Sequence, residues 1–268
     1  MPTHSASTAT TPFTARRMLN KVPEVTLLFW IVKIMSTTVG ETAADFLAGN
    51  IGLGLTNTSL VMAALLAAVL VVQLRLRRYV PAVYWLVVVL VSVVGTLISD
   101  NLVDNLGVSL WTTTGVFAAG LAVSFTAWWR SERTLSIHSI TTTRREAFYW
   151  LAILFTFALG TSAGDLVAEK LALGYLPSAA LFGGLIALVT VTYRARGINA
   201  VLAFWTAYVL TRPFGASMGD FLTATPGSGG LGLGTNGTSA LFLAVILGVV
   251  GWFTYTDRRD APERELVA

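Results

Sequence analysis

The sequence predicts an all-α, polytopic membrane protein: eight transmembrane helices laid out as four tandem parallel helical hairpins, pseudo-fourfold, with the odd helices inside. Three observations predict it. Hydrophobic residues make up 54% of the 268 and charged residues only 12%, and the mean hydropathy is +0.70, too apolar for a water-soluble domain of this length. Eight segments are long and apolar enough to span a bilayer, which takes about 20 residues per crossing. A single sequence pattern recurs four times along those segments.

The segments lie at roughly 25–47, 58–74, 80–103, 111–129, 147–169, 175–193, 198–222 and 238–256. Residues 1–24, rich in Ser and Thr with Arg16, Arg17 and Lys21, contain no apolar run that would serve as a signal peptide. They are read as a disordered cytoplasmic tail, with a transit peptide as the alternative. Residues 25–257 form one transmembrane domain, with repeats at about 25–78, 80–133, 145–196 and 198–257, and 258–268 form a second cytoplasmic tail. Arginines follow the even segments: Arg75, Arg77 and Arg78; Arg130, Arg133, Arg144 and Arg145; Arg194 and Arg196; Arg258 and Arg259. After segments one, three and seven there is no Lys or Arg, and after five only Lys170. The positive-inside rule then puts both termini and the even-to-odd connections in the cytoplasm. The formal charge of +4 is thus topology, and nucleic acid is not an expected partner.

Trp30, Trp85, Trp150 and Trp205 each begin an odd segment. Ten residues on stand Gly40, Gly95, Gly160 and Gly215, and fifteen on stand Asp45, Asp100, Asp165 and Asp220. Position fourteen is always small, Ala44, Ser99, Gly164 and Gly219, and no gap is needed. Only seven aspartates occur in the chain, so four in register with a Trp and a Gly mark a repeat, W-x9-G-x3-small-D. Repeats one and four also share "GLGLTNTS" (52–59) and "GLGTNGTS" (232–239), each with an N-x-S/T triplet, at Asn57 and Asn236, and read as loop turns with helix N-caps for segments two and eight.

The four copies "FWIVKIMSTTVGETAADF", "YWLVVVLVSVVGTLISDN", "YWLAILFTFALGTSAGDL" and "FWTAYVLTRPFGASMGDF" resemble a family of bacterial membrane proteins built from four tandem two-helix repeats of unknown function (DUF347). The resemblance covers nearly the whole chain after residue 24. It implies a multi-pass protein of the bacterial cytoplasmic membrane and supplies no activity.

On a helix rising about 1.5 Å per residue, the Trp sits at the interface, the Gly about 15 Å deeper and the Asp about 22 Å in. Gly40, Gly95, Gly160 and Gly215, with the small residue four positions later, give each odd helix a stripe along which backbones pack closely in lipid. A second stripe is acidic. Glu41 and Asp45, Asp100 and Asp104, and Asp165 and Glu169 are i, i+4 pairs, while Asp220 stands alone. Against these acids stand Lys33, Lys170 and Arg212, so the spans carry a negative excess that needs protons or a cation.

Ring aspartates Asp45, Asp100, Asp165 and Asp220, with Glu41, Asp104 and the hydroxyls of Thr37, Thr38, Thr96, Thr161 and Ser217, offer oxygen ligands suited to hard divalent ions of the manganese kind. No cysteine occurs and the only histidines are His4 and His138, outside the apolar runs, so thiolate and imidazole metal sites are not expected. The purely structural alternative is ion pairing: Arg212 and Glu41 differ in depth by about 6 Å, within reach of an arginine, and Lys33 could serve the same way. Pro213 should kink segment seven.

The expected function is transport: a proton-coupled carrier of a divalent cation. A carrier of a small organic ion and a non-transporting structural or sensory protein are the alternatives. No nucleophile, zinc or phosphate-loop motif is present, so enzymatic activity is not expected. No cofactor is implied beyond the transported ion, membrane lipid and a small ion or solute are the partners, and a homo-oligomer is left open.

Overall fold

The computed structural model describes residues 20–266, and among these eight α-helices and no strand occur: α1 (Leu27–Asp45), α2 (Gly54–Arg75), α3 (Pro81–Asp100), α4 (Leu110–Glu132), α5 (Thr143–Asp165), α6 (Tyr175–Arg196), α7 (Ala200–Thr223) and α8 (Gly234–Leu266). All but α7 are long and apolar enough to cross a membrane, and the protein is a multi-pass membrane protein. Helix α7 carries Thr211, Arg212, Ser217 and Asp220 and falls short on hydropathy. Its neighbours cover it, so it needs no lipid-compatible surface all round.

The odd helices are the interior. Of the most apolar window, 72% is buried in α3 and 61% in both α1 and α5, against 11–22% in α2, α4, α6 and α8. Contacts run α1 to α3, α3 to α5, α5 to α7, and α7 back to α1. Position ten explains how the backbones come so near. A Cβ added at Gly40 would land on Ser92, at Gly95 on Phe157, at Gly160 on Arg212, and at Gly215 on Thr37. Each glycine therefore meets position seven of the next odd helix, and the last meets the first. The tight half of the small-residue stripe is position ten. At position fourteen, Gly164 and Gly219 have only ordinary contacts. Gly215→Ala is expected to lower the melting temperature measured by tryptophan fluorescence, at a cost of about 1–3 kcal/mol. Gly115→Ala, with nothing within 4 Å, is expected to be tolerated, and equal losses at both sites would refute close packing as the cause.

The hairpins expected within each repeat are not the packed pairs. Helix α2 lies on α3, α4 on α5, α6 on α7, and α8 returns to α1. An even helix meets its own repeat's odd helix chiefly at the turn that joins them. That turn is a π turn after α1, α3 and α5, at Phe46–Asn50, Asn101–Asn105 and Leu166–Lys170. The far connections at 76–80 and 197–199 are equally short, so chain length does not favour the repeat's own partner. Side-chain bonds fix the chosen one: Asn101 Nδ2 at the end of α3 donates to Ser59 Oγ of α2 (2.6 Å), and Ser239 Oγ of α8 donates to Thr42 Oγ1 of α1 (2.6 Å).

The shared loop motif forms the expected turns but gives α2 no side-chain cap. Gly52 and Gly54, and again Gly232 and Gly234, have φ between 72° and 78°, the left-handed region that glycine enters without steric cost. Helices α2 and α8 begin at the second glycine, so Asn57 and Asn236 lie inside the first turn. Asn57 Nδ2 donates to the Leu53 carbonyl. Side-chain caps occur elsewhere, at Thr26, Ser109, Thr142 and Asn199.

The tails also shift. Residues 1–19 of the expected tail 1–24 lie outside the described residues, as do 267–268 of the tail 258–268, while α8 is continuous to Leu266. Lys21 is not a solvated tail residue. Its Nζ bonds Glu146 Oε2 of α5 at 2.7 Å and the Leu74 carbonyl of α2 at 3.2 Å, and Gln73 Nε2 donates to the other Glu146 oxygen at 2.8 Å.

Candidate functional site

The inner helices leave a cavity of about 400 Å³ at their Asp ends. Asp45 of α1, Asp100 of α3, Asp165 of α5 and Asp220 of α7 line it, one from each inner helix, because all four occupy the same register. Glu41 lies one turn deeper, and Asp104 and Glu169, carried by the π turns, line the wall further out. Among the described residues none of the four ring carboxylates has a hydrogen bond or ion pair with the protein. Nor do three or more His, Cys, Asp or Glu stand close enough together to hold a metal ion. The set Asp45, Asp100, Asp165 and Asp220 read from the sequence thus forms a common acidic wall, with its members spread around the cavity rather than converged on one point.

Beneath the acids the interior turns basic. Arg212 is fully buried and its Nη2 lies 2.7 Å from Glu41 Oε2, the pairing that depth alone made reachable. The same guanidinium meets the Thr37 carbonyl through Nη1 at 2.7 Å, Thr161 Oγ1 at 2.7 Å, Thr96 Oγ1 and, through Nε, the Phe157 carbonyl at 3.4 Å. One side chain from α7 thereby ties together α1, α3 and α5. Pro213, next in sequence, stands inside α7, where the missing N–H loosens the helix beside the arginine.

Lys33 departs from expectation. It is fully buried and, among the described residues, has no carboxylate partner. Its ammonium donates to Thr211 Oγ1 at 2.6 Å and lies 4.1 Å from the ring centre of Tyr208 and 4.9 Å from that of Phe157, so ring faces stand in for a counter-ion. Thr37 and Thr38, expected beside the acids, turn toward α7: Thr38 Oγ1 donates to the Gly215 carbonyl at 3.1 Å, and Thr37 Oγ1, which donates to the Ile34 carbonyl of its own helix at 2.6 Å, also reaches the Thr211 carbonyl at 3.4 Å. They fasten α1 to α7. Ser217 is buried and its hydroxyl has no partner among the described residues.

The Trp end is closed. Trp85, Trp150 and Trp205 are buried rather than facing lipid, with Trp30 partly covered. They pack edge-to-face and tilted against Phe29, Tyr84, Tyr149, Phe204 and Tyr208. Tyr84 and Tyr149 share a hydrogen bond of 2.5 Å. Below them the buried Lys21–Glu146–Gln73 cluster covers the layer; sequence reasoning missed it because Lys21 reads as tail and Glu146 as one charge among loop arginines. A lone Gln73 in an otherwise apolar segment was the available signal.

The profile described as Repeat of Unknown Function (DUF347) matches four times in tandem, at residues 28–79, 83–134, 148–198 and 203–259. The chain belongs to the DUF347 repeat family. No curated protein and no solved structure matches it. Each DUF347 unit contains one inner helix and the outer helix that follows it. The outer helix of each unit therefore packs on the inner helix of the next, and that of the fourth on the first.

Proposed function

We propose that this DUF347 protein is a secondary transporter, a proton-coupled carrier of a divalent, manganese-like cation in the bacterial cytoplasmic membrane, with both termini cytoplasmic and the four units in pseudo-fourfold array about the cavity. The observation that carries the reading is the acidic wall: carboxylates from all four inner helices share one cavity, and the ring carboxylates have no protein partner among the described residues. Acids this close in a membrane interior need protons or a cation, and the same oxygens accept either, which is the exchange a proton-coupled carrier requires. Arg212 cannot neutralise the ring, since Glu41 already holds it. The sealed aromatic end supports a one-side-open state of an alternating-access cycle. Spacing of the acids around the wall suits an ion that keeps part of its water, as small divalent ions tend to.

A second reading, an organic cation, is favoured by the volume, which matches small-molecule sites of about 300–1,000 Å³. The acidic lining speaks for a cation over an anion in both readings.

The test is flux in reconstituted liposomes. Manganese entry is expected to move protons the other way, and Asp45→Asn, Asp100→Asn, Asp165→Asn and Asp220→Asn are each expected to lose most of it. Variants that insert normally and keep full flux would sink the proposal. Flux of an organic cation that survives metal chelation would select the second reading, and no flux of any ion would leave a structural or sensory role.

A further inference from the structure

The oxygens around Arg212 form a seat whose shape is that of an ion site. Nη2 has two hydrogens to give, yet three oxygens, Glu41 Oε2, Thr96 Oγ1 and Thr161 Oγ1, surround it at bonding distance. Those oxygens also bracket one another, at 3.2 Å from Thr96 to Glu41 and 3.5 Å from Thr96 to Thr161. Ligands at right angles and 2.3–2.6 Å from a calcium-sized ion stand about 3.3–3.7 Å apart, whereas around magnesium they stand about 3 Å apart. Both hydroxyl protons have other acceptors, the Ser92 carbonyl for Thr96 at 3.2 Å and the Phe157 carbonyl for Thr161 at 3.3 Å, which leaves lone pairs free for a cation. The Thr37 carbonyl takes the neighbouring nitrogen, Nη1, at 2.7 Å.

We propose that this seat is an inner binding site for a monovalent, sodium-sized coupling cation, and that Arg212 is a tethered cation which fills it in the state described here. The proposal rests on the carrier reading and adds a second site to it. Charge selects the class: the seat holds one carboxylate, so exchanging a guanidinium for a monovalent ion leaves the buried charge unchanged, whereas a divalent ion would leave an excess. Access comes from Glu41, which lines the cavity as well as the seat. Release of the arginine is provided for by Pro213 beside it and by Gly160, over which the Arg212 stem passes with no room for a Cβ.

Sodium is the probe, exchanged for choline at constant ionic strength, with thermal unfolding of the purified protein as readout. Arg212→Gln is expected to gain a saturable rise of about 5 °C with sodium, while Glu41→Gln/Arg212→Gln stays flat and the wild type, whose arginine competes for the seat, rises less. A folded Arg212→Gln that does not respond, or a double variant that responds equally, overturns the seat. Should Arg212→Gln fail to fold, Thr161→Cys decides in a chain free of other cysteines. Its thiol is expected to react with 2-aminoethyl methanethiosulfonate, more slowly as sodium replaces choline. No reaction, or one indifferent to sodium, overturns the proposal. Neither readout uses flux, so a failed seat with intact manganese flux removes only the seat, and a sodium response without flux removes only the carrier.

Discussion

Arg212→Leu is expected to be among the most damaging single substitutions in this protein, costing about 3–5 kcal/mol. The loss is not chiefly the ion pair's own attraction. Leucine would leave Glu41 as a buried carboxylate with no cation beside it, and would strip partners from Thr96, Thr161 and two carbonyls on three helices. Replacing both partners removes the charge as well as its answer. Glu41→Leu/Arg212→Leu is therefore expected to recover most of the melting temperature and yield, since apolar replacement of a buried pair is often neutral. Equal instability of single and double variants would show that packing around the arginine stem, not charge, holds the helices together.

The register that assembles this centre was open to view in the sequence. Counting from each Trp places Asp45, Asp100, Asp165 and Asp220 at one depth, and the structure brings them to one cavity. Arg212 at position seven and Glu41 at position eleven were within reach by length alone, and they meet. Position ten was legible as glycine, but not that it faces position seven of the next helix, because spacing gives a face and not its occupant. The fate of Lys33 was hidden for a related reason: Phe157 and Tyr208 offer no charge that a sequence would flag, and only the fold aims their rings at an ammonium. The pairing of outer with inner helices was illegible because α2, α4, α6 and α8 are apolar nearly all round, so no stripe names a neighbour. Polar bonds such as Asn101 to Ser59 decide it, and their place near the ends of two apolar segments does not say which helix each will meet until the chain is folded.

That forward packing makes a prediction about the two ends of the chain. Ser239 on α8 and Thr42 on α1 touch through their hydroxyls although 197 positions separate them. Thr42→Cys/Ser239→Cys, in a protein with no other cysteine, is expected to oxidise to a disulfide that locks the last helix onto the first. Closing so long a loop is worth up to about 5 kcal/mol on the chain-entropy estimate. The gain will be smaller in a bilayer, where unfolded helices remain inserted. With a protease site placed in the connection at 133–142, the cut halves should run as one band on a non-reducing gel and as two once reduced. Were α8 instead folded back on α7 as a hairpin within its own unit, the two thiols would be held apart, and the halves would separate without reductant.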